Sequence, residues 1–154
     1  MDQDNQAYFI IGKETSNYLI VEILNYEYPE SDEYWDANWL KARIKIKTRS
    51  FSGYYSASLQ TIDFREFKKG LEGIYRTLNG AAQFYSMEEW LTIILNGDGI
   101  GHFVGDIIAC DFPPSGSKLR FELQIDQTEI PGIVNQINSI LEIFPVKGSP
   151  DKTI

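Results

Sequence analysis

"LKARIKIKTRSFSGYYSASLQTIDFREFKKGLEGIYRTLNG", residues 40–80, contains a strand, a turn, a second strand and a helix. Leu40, Ala42, Ile44 and Ile46 alternate with Lys41, Arg43, Lys45 and Lys47. Side chains at every second position of a strand share a face, so the first set faces a core and the second faces water. "RSFSG" makes a short turn, and Phe51, Gly53, Tyr55, Ala57 and Leu59 carry the alternation onto a paired strand. From Asp63 the period changes. Phe64, Phe67, Leu71, Ile74, Tyr75 and Leu78 recur at helical spacing and give one apolar face. Asp63 with Glu66 makes a capping-box-like start, and Asn79–Gly80 makes a stop. Gly70 and Gly73 each cost about 1 kcal/mol against alanine in a helix interior, so packing must hold this helix. Their small size lets it lie close against a sheet.

Outward from this stretch the same patterns return. "NYLIVEILNY" (17–26) reads as a strand, with a shorter one at Tyr8–Ile11. After the helix come strands near 81–86, 90–95, 101–110 and 118–125. "NGDG" (96–99) is a hairpin turn between the second and third of these, and "PPSGS" (113–117) separates the last two. Ile130, Ile133, Val134, Ile137, Ile140, Leu141 and Phe144 then form a helical stripe, capped by Thr128 and carrying Pro131 in its first turn. The prediction is an α+β fold: a largely antiparallel β-sheet of about six to eight strands with two α-helices packed on one face, in the order strands, helix, strands, helix. "SLQTIDF" and "FELQIDQTEI" end the two strand runs in similar words and point to two meander-plus-helix halves. No linker divides the chain, so residues 1–154 are expected to form one domain, with loose tails at 1–6 and 146–154.

Composition narrows the function classes. Twenty-two acids against fourteen bases give a net charge of −8, which repels nucleic acid and anionic lipid and attracts cationic surfaces. No base lies between Arg76 and Lys118, whereas Glu88, Glu89, Asp98, Asp106 and Asp111 do. Apolar runs are too short to span a membrane. "MDQDNQ" lacks the cationic start of a signal peptide, and the single Cys110 fits a reducing compartment, so a cytoplasmic location is expected.

Catalytic chemistry has little to stand on. His102 is the only histidine, and Cys110 in "IIAC" reads as a small buried hydrophobe. "NGDGIGH" (96–102) lacks the alternating acids of a calcium loop and the lysine and helix of a phosphate loop. Neighbouring carboxylates such as Glu88–Glu89 show no facing pair across a cleft. No catalytic residue, cofactor or metal site is expected. The ladder Lys41, Arg43, Lys45, Lys47 could be a nucleic-acid stripe. The net charge favours a solvated strand face, paired with neighbouring acids and discouraging edge-to-edge aggregation.

One segment resists a structural reading. "EYPESDEYWDANW" (27–39) carries Glu27, Glu30, Asp32, Glu33 and Asp36 with no base, beside Tyr28, Tyr34, Trp35 and Trp39. Pro29, Ser31, Asp32 and Asn38 break any strand period, which leaves a loop of about a dozen residues, a length that usually serves a function. Trp35 and Trp39 could instead fold back as lids over one sheet end, with Asp36 and Asn38 fixing the turn through backbone amides. Aromatics ringed by charge match the anchors and rim of a protein interface, and carboxylates there would steer a cationic partner. The expected partner-binding residues are Glu27, Tyr28, Glu30, Asp32, Glu33, Tyr34, Trp35 and Asp36, with the base-free 77–117 region as a second surface.

"DEYWDANWL" (32–40), "NGDGIGHF" (96–103), "LRFELQIDQTEIP" (119–131) and "IFPVKG" (143–148) resemble recurrent words of the WapI-type bacterial immunity proteins. The resemblance covers most of the chain from about residue 17. It implies a cytosolic antidote that binds and neutralises a contact-delivered toxin, commonly a nuclease, without catalysis. "GDG" would then mark the hairpin turn, and "IDQT" the strand end and helix cap. The expected partner is a cognate toxin with a basic surface. An acidic regulatory binding module and a small carboxylate-dependent enzyme are the alternatives.

Overall fold

The computed structural model describes residues 7–150. Its elements are β1 (Tyr8–Gly12), β2 (Tyr18–Tyr26), α1 (Tyr34–Ala37), β3 (Trp39–Lys47), β4 (Ser52–Gln60), α2 (Thr61–Thr77), β5 (Asn79–Tyr85), β6 (Leu91–Asp98), β7 (His102–Cys110), β8 (Lys118–Asp126) and α3 (Ile130–Ile143). All strand pairing is antiparallel, and the order of strands, helix, strands, helix is as expected. The strands divide into two four-stranded meanders, β1-β2-β3-β4 and β5-β6-β7-β8, each followed by a long helix. The two meander-plus-helix halves signalled by "SLQTIDF" and "FELQIDQTEI" are present, but as two sheets and not the one sheet expected, because periodicity shows which face of a strand is buried and not which strands share a sheet.

The inner faces of both sheets and the apolar faces of α2 and α3 form one continuous core. Its centre is an aromatic cluster from three elements: Phe9 of β1, Phe64 and Phe67 of α2, and Phe84 of β5, all fully buried. Phe64 meets Phe84 edge-on at 5.2 Å, and Phe9 meets Phe64 edge-on at 5.9 Å. Such pairs add about 0.5–1.5 kcal/mol each beyond their buried area. Gly70 does bring α2 close to β5, since a Cβ there would lie 3.1 Å from the Ala82 Cβ. Gly73 has open space around it.

The caps sit earlier than the sequence reading placed them. Gln60 is the N-cap of α2, and its N–H donates to Asp63 Oδ2 at 3.2 Å, so Asp63 pairs backwards with Gln60 and the Asp63/Glu66 start is corrected. Burial pushes the Asp63 carboxyl up to about 7. Before α3, Asp126 replaces Thr128 as the cap. Its Oδ1 accepts the Thr128 N–H at 2.8 Å, while Glu129 Oε2 accepts the Asp126 N–H at 2.9 Å. This reciprocal arrangement satisfies two donors that a helical start leaves free. "NGDG" is part of a hairpin turn: Gly99 and Gly101 have φ of 87° and 106°, and Asp98 Oδ1 accepts the N–H groups of Ile100 and His102. Those bonds, with Ile100's the largest influence, hold the Asp98 carboxyl below the usual carboxylate range.

The first part of the tail expected to be loose is bonded at Lys147, just after a bond at Pro145. The Tyr26 hydroxyl donates to the Pro145 carbonyl at 2.8 Å, and Lys147 bonds to Asn38 through its backbone. Expectations for residues 1–6 and 151–154 fall outside the described residues.

Candidate functional site

The 27–37 loop leaves sheet one at the end of β2 and returns through β3. Its base is closed by the Glu27 N–H donating to the Trp39 carbonyl at 2.8 Å. Ser31 N–H donates to the Tyr28 carbonyl at 3.1 Å, and Ser31 Oγ accepts the Glu33 N–H at 3.2 Å. A single helical turn, α1, follows. Residues three apart on a helix share a face, so Tyr34 and Ala37 point inward together while Trp35 and Asp36 point out.

This turn corrects one expectation. Tyr34 is only 8% exposed, lying over the chain at Gly148, and it supports the loop from below. Trp35 stands edge-on against it at 4.9 Å and is 52% exposed, so it is not a lid. Tyr28 is 50% exposed, and Glu30, Asp32, Glu33 and Asp36 are exposed. Glu27 is half-buried and accepts a hydrogen bond from Ser58 Oγ at 3.0 Å. Trp39 is half-buried at the start of β3. The loop thus presents two aromatics and four exposed carboxylates on one excursion, and none of its five acids is in an ion pair among the described residues.

What holds the loop is Asn38, which is fully buried. Its Nδ2 donates to the Tyr34 carbonyl at 2.8 Å and to the Lys147 carbonyl at 3.0 Å, while its Oδ1 accepts the Lys147 N–H at 2.8 Å. Its own carbonyl accepts from both the N–H and Oγ1 of Thr61, at 2.9 and 3.1 Å. One residue therefore joins the loop, the start of α2 and the C-terminal tail. The Lys147 Nζ lies 3.7 Å from the centroid of the Tyr26 ring, which packs edge-on against Phe144. Asn38 was expected to fix the turn, but its partner Lys147 was not, because the contact spans 109 residues. Asp36 makes no such bond.

The second expected surface is less anionic in space than in sequence. Arg120 of β8 reaches across to Asp106 of β7, with Nη2 to Oδ2 at 2.7 Å, and His102 Nδ1 lies 3.1 Å from Asp98 Oδ2. The basic ladder is on β3, an interior strand, so it guards no edge of sheet one. Arg43 and Lys45 lie 4.0 and 3.8 Å from Glu22 of β2. No group of three or more His, Cys, Asp or Glu side chains among the described residues could hold a metal ion. A surface cleft of about 500 Å³ lies apart from the loop, between the β1–β2 turn and β8. No helix among the described residues is long and apolar enough to cross a membrane.

Among solved structures, the plant transcriptional regulator PBF-2 is similar to this chain with a TM-score of 0.52 and 11% identity, covering 89% of this chain and 81% of its own. A Trypanosoma brucei MRP1/MRP2 structure has a TM-score of 0.47 and 10% identity over 88% of this chain and 83% of its own. At 11% identity the likeness to PBF-2 is one of fold alone. No curated protein matches. A family model described as the immunity protein WapI-like family matches residues 9–145.

Proposed function

The chain belongs to the immunity protein WapI-like family, and from that premise we propose that it neutralises a cognate bacterial toxin by presenting the 27–36 loop to a basic surface of that toxin. The observation that carries this reading is the loop itself: acids without ion pairs among the described residues, set beside exposed Tyr28 and Trp35, on a support fixed by buried hydrogen bonds through Asn38. A preorganised loop loses little conformational freedom on docking, so more of its contact energy appears as affinity. Tyr28 and Trp35 supply anchors of large area, and the carboxylates supply long-range attraction and then pair with Arg or Lys.

A nuclease is the toxin class that fits best. Its substrate channel must be basic to hold a polyanion, and an acidic protein seated there excludes the substrate. Occlusion of this kind makes and breaks no bond, so no catalytic group is assigned. The reading places the protein in the cytoplasm, where an arriving toxin would act. We prefer the loop to the outer face of sheet two as the docking surface, because Arg120 already occupies Asp106 there.

Co-expression with candidate toxin domains, nucleases first, tests this reading. Growth rescue and a co-purifying complex are expected, with both weakened by the combined substitution Glu30→Lys, Asp32→Lys and Glu33→Lys. Full rescue by that variant, with an equally stable complex, would move the contact to another surface.

A further inference from the structure

Each of the two sheets ends in two edge strands, and three of the four are covered or charged. Gln136 of α3 covers β1 by accepting the Ile10 N–H at 3.0 Å, and α2 lies against β5 through Gly70 and Ala82. β8 carries Lys118, Arg120, Glu122 and Asp126. By contrast β4, "SGYYSASLQ", has no charge, no proline and no register shift in its pairing with β3. Those are the devices that normally keep an edge from pairing.

The register identifies the backbone groups left over. Thr48 N–H donates to the Phe51 carbonyl at 2.7 Å, so this pair is hydrogen-bonded. Hydrogen-bonded and non-bonded pairs alternate along an antiparallel ladder. Ser52, Tyr54, Ser56 and Ser58 are therefore the non-bonded partners of Lys47, Lys45, Arg43 and Lys41. Their N–H and C=O groups point away from β3, and none has a hydrogen-bond partner among the described residues. Beside the first half of β4 lies a cleft of about 250 Å³ whose lining includes Phe51, Tyr55, Ala109 and Leu119 together with Asp111 and Lys118. Phe51 and Tyr54 at this edge are 65% and 63% exposed.

We propose that β4 takes up an extended segment of a partner protein as a fifth strand, with acidic side chains on its outer face and an apolar side chain entering this cleft. A row of outward amides and carbonyls is matched in spacing by another strand, and alternate side chains then supply specificity. An added strand lies about 5 Å from β4 and about 10 Å from β3. On the outer face Tyr54 lies under the Lys45 ammonium, 5.7 Å from its ring centroid, and Ser58 is bonded to Glu27, but Ser52 and Ser56 are too small to screen the bases behind them, and Lys41 and Lys47 form no ion pair among the described residues. Acidic side chains on the added strand fit that ladder. A second copy of this chain offers an uncharged β4 in the same place, so the charge pattern favours a different, acidic segment. The site meets the 27–36 loop only at Ser58, whose Oγ donates to Glu27, and its Ser52–Ser56 part does not depend on the loop reading.

The test uses the full chain and a synthetic peptide of alternating Glu and Val. Slowed amide exchange at Ser52, Tyr54 and Ser56 is the expected result, with binding about tenfold weaker when Lys replaces Glu in the peptide. Ser56→Pro removes an outward N–H without touching the β3 ladder and should abolish the protection. If that variant fails to fold, a peptide N-methylated on alternate residues makes the same test from the other side. No protection at millimolar peptide would overturn the proposal. So would a dimer of the protein alone that occupies the β4 edge and that Ser56→Pro dissociates.

Discussion

Asn38 and Lys147 hold each other across 109 residues by two opposed hydrogen bonds, the side-chain amide of one matching the backbone peptide of the other. An amide side chain suits this position because it donates and accepts at once. Asn38→Asp loses both Nδ2 donors and leaves the carbonyls of Tyr34 and Lys147 facing a carboxylate. A loss of about 2–3 kcal/mol in unfolding free energy is expected, read as a lower urea midpoint at unchanged slope. Lys147→Ala keeps both backbone bonds and removes only the cation over Tyr26, so its cost should be about 0.5–1 kcal/mol.

The two glycines of α2 should respond oppositely to alanine. Gly73 has nothing within 4 Å of a built Cβ, so Gly73→Ala should stabilise by about 0.5–1 kcal/mol through helix propensity. At Gly70 the new methyl meets the Cβ and backbone Cα of Ala82 at 3.1 and 3.2 Å, and β5 is held in place by its pairing with β6. Gly70→Ala should therefore lose the propensity gain and lower the thermal midpoint. Equal midpoints for the two variants would contradict the close approach of α2 to β5.

Asp63 sets a pH dependence with an unusual sign. Its folded carboxyl is pushed up to about 7 from an ordinary value of 3.8, so between these pH values the folded chain binds the extra proton. Unfolding free energy then falls as pH rises from about 4 to 7, because the folded state binds more protons than the unfolded state. The contribution is fully present below about 4 and gone above about 7. Asp63→Asn should flatten the stability profile over that window in denaturant titrations. An unchanged slope would show that Asp63 titrates normally. The acids at Asp98 and Asp126 act the other way, since both are held low by hydrogen bonds, and their stabilisation is lost only as pH falls below the usual carboxylate range.

Legibility followed the range of the interaction. The alternation of Leu40, Ala42, Ile44 and Ile46 reappears as the buried face of β3, and the Ile130 to Ile140 stripe reappears as the buried face of α3. These patterns depend only on local geometry. The burial of Tyr34, expected among the partner-binding residues, is not legible because a single helical turn has too few residues to show a period, and the backbone near it arrives from Gly148. The clamp through Lys147, the grouping of strands into two sheets and the free edge of β4 depend on which segments meet in space. Asp106 likewise looked unpaired in a base-free stretch, yet its partner Arg120 comes from the next strand. At the candidate site the sequence showed the charge and the aromatics, and the fold supplied the rigidity.

The most direct measurement is the association rate of this protein with the toxin domain that it neutralises in co-expression, over a range of salt concentrations. Glu30, Asp32 and Glu33 should steer the encounter, because exposed charges act over a Debye length of about 8 Å at physiological ionic strength. The account predicts that the triple lysine variant associates at least tenfold more slowly at low salt, with the difference closing as salt rises. Equal association rates at low salt for the two proteins would contradict it.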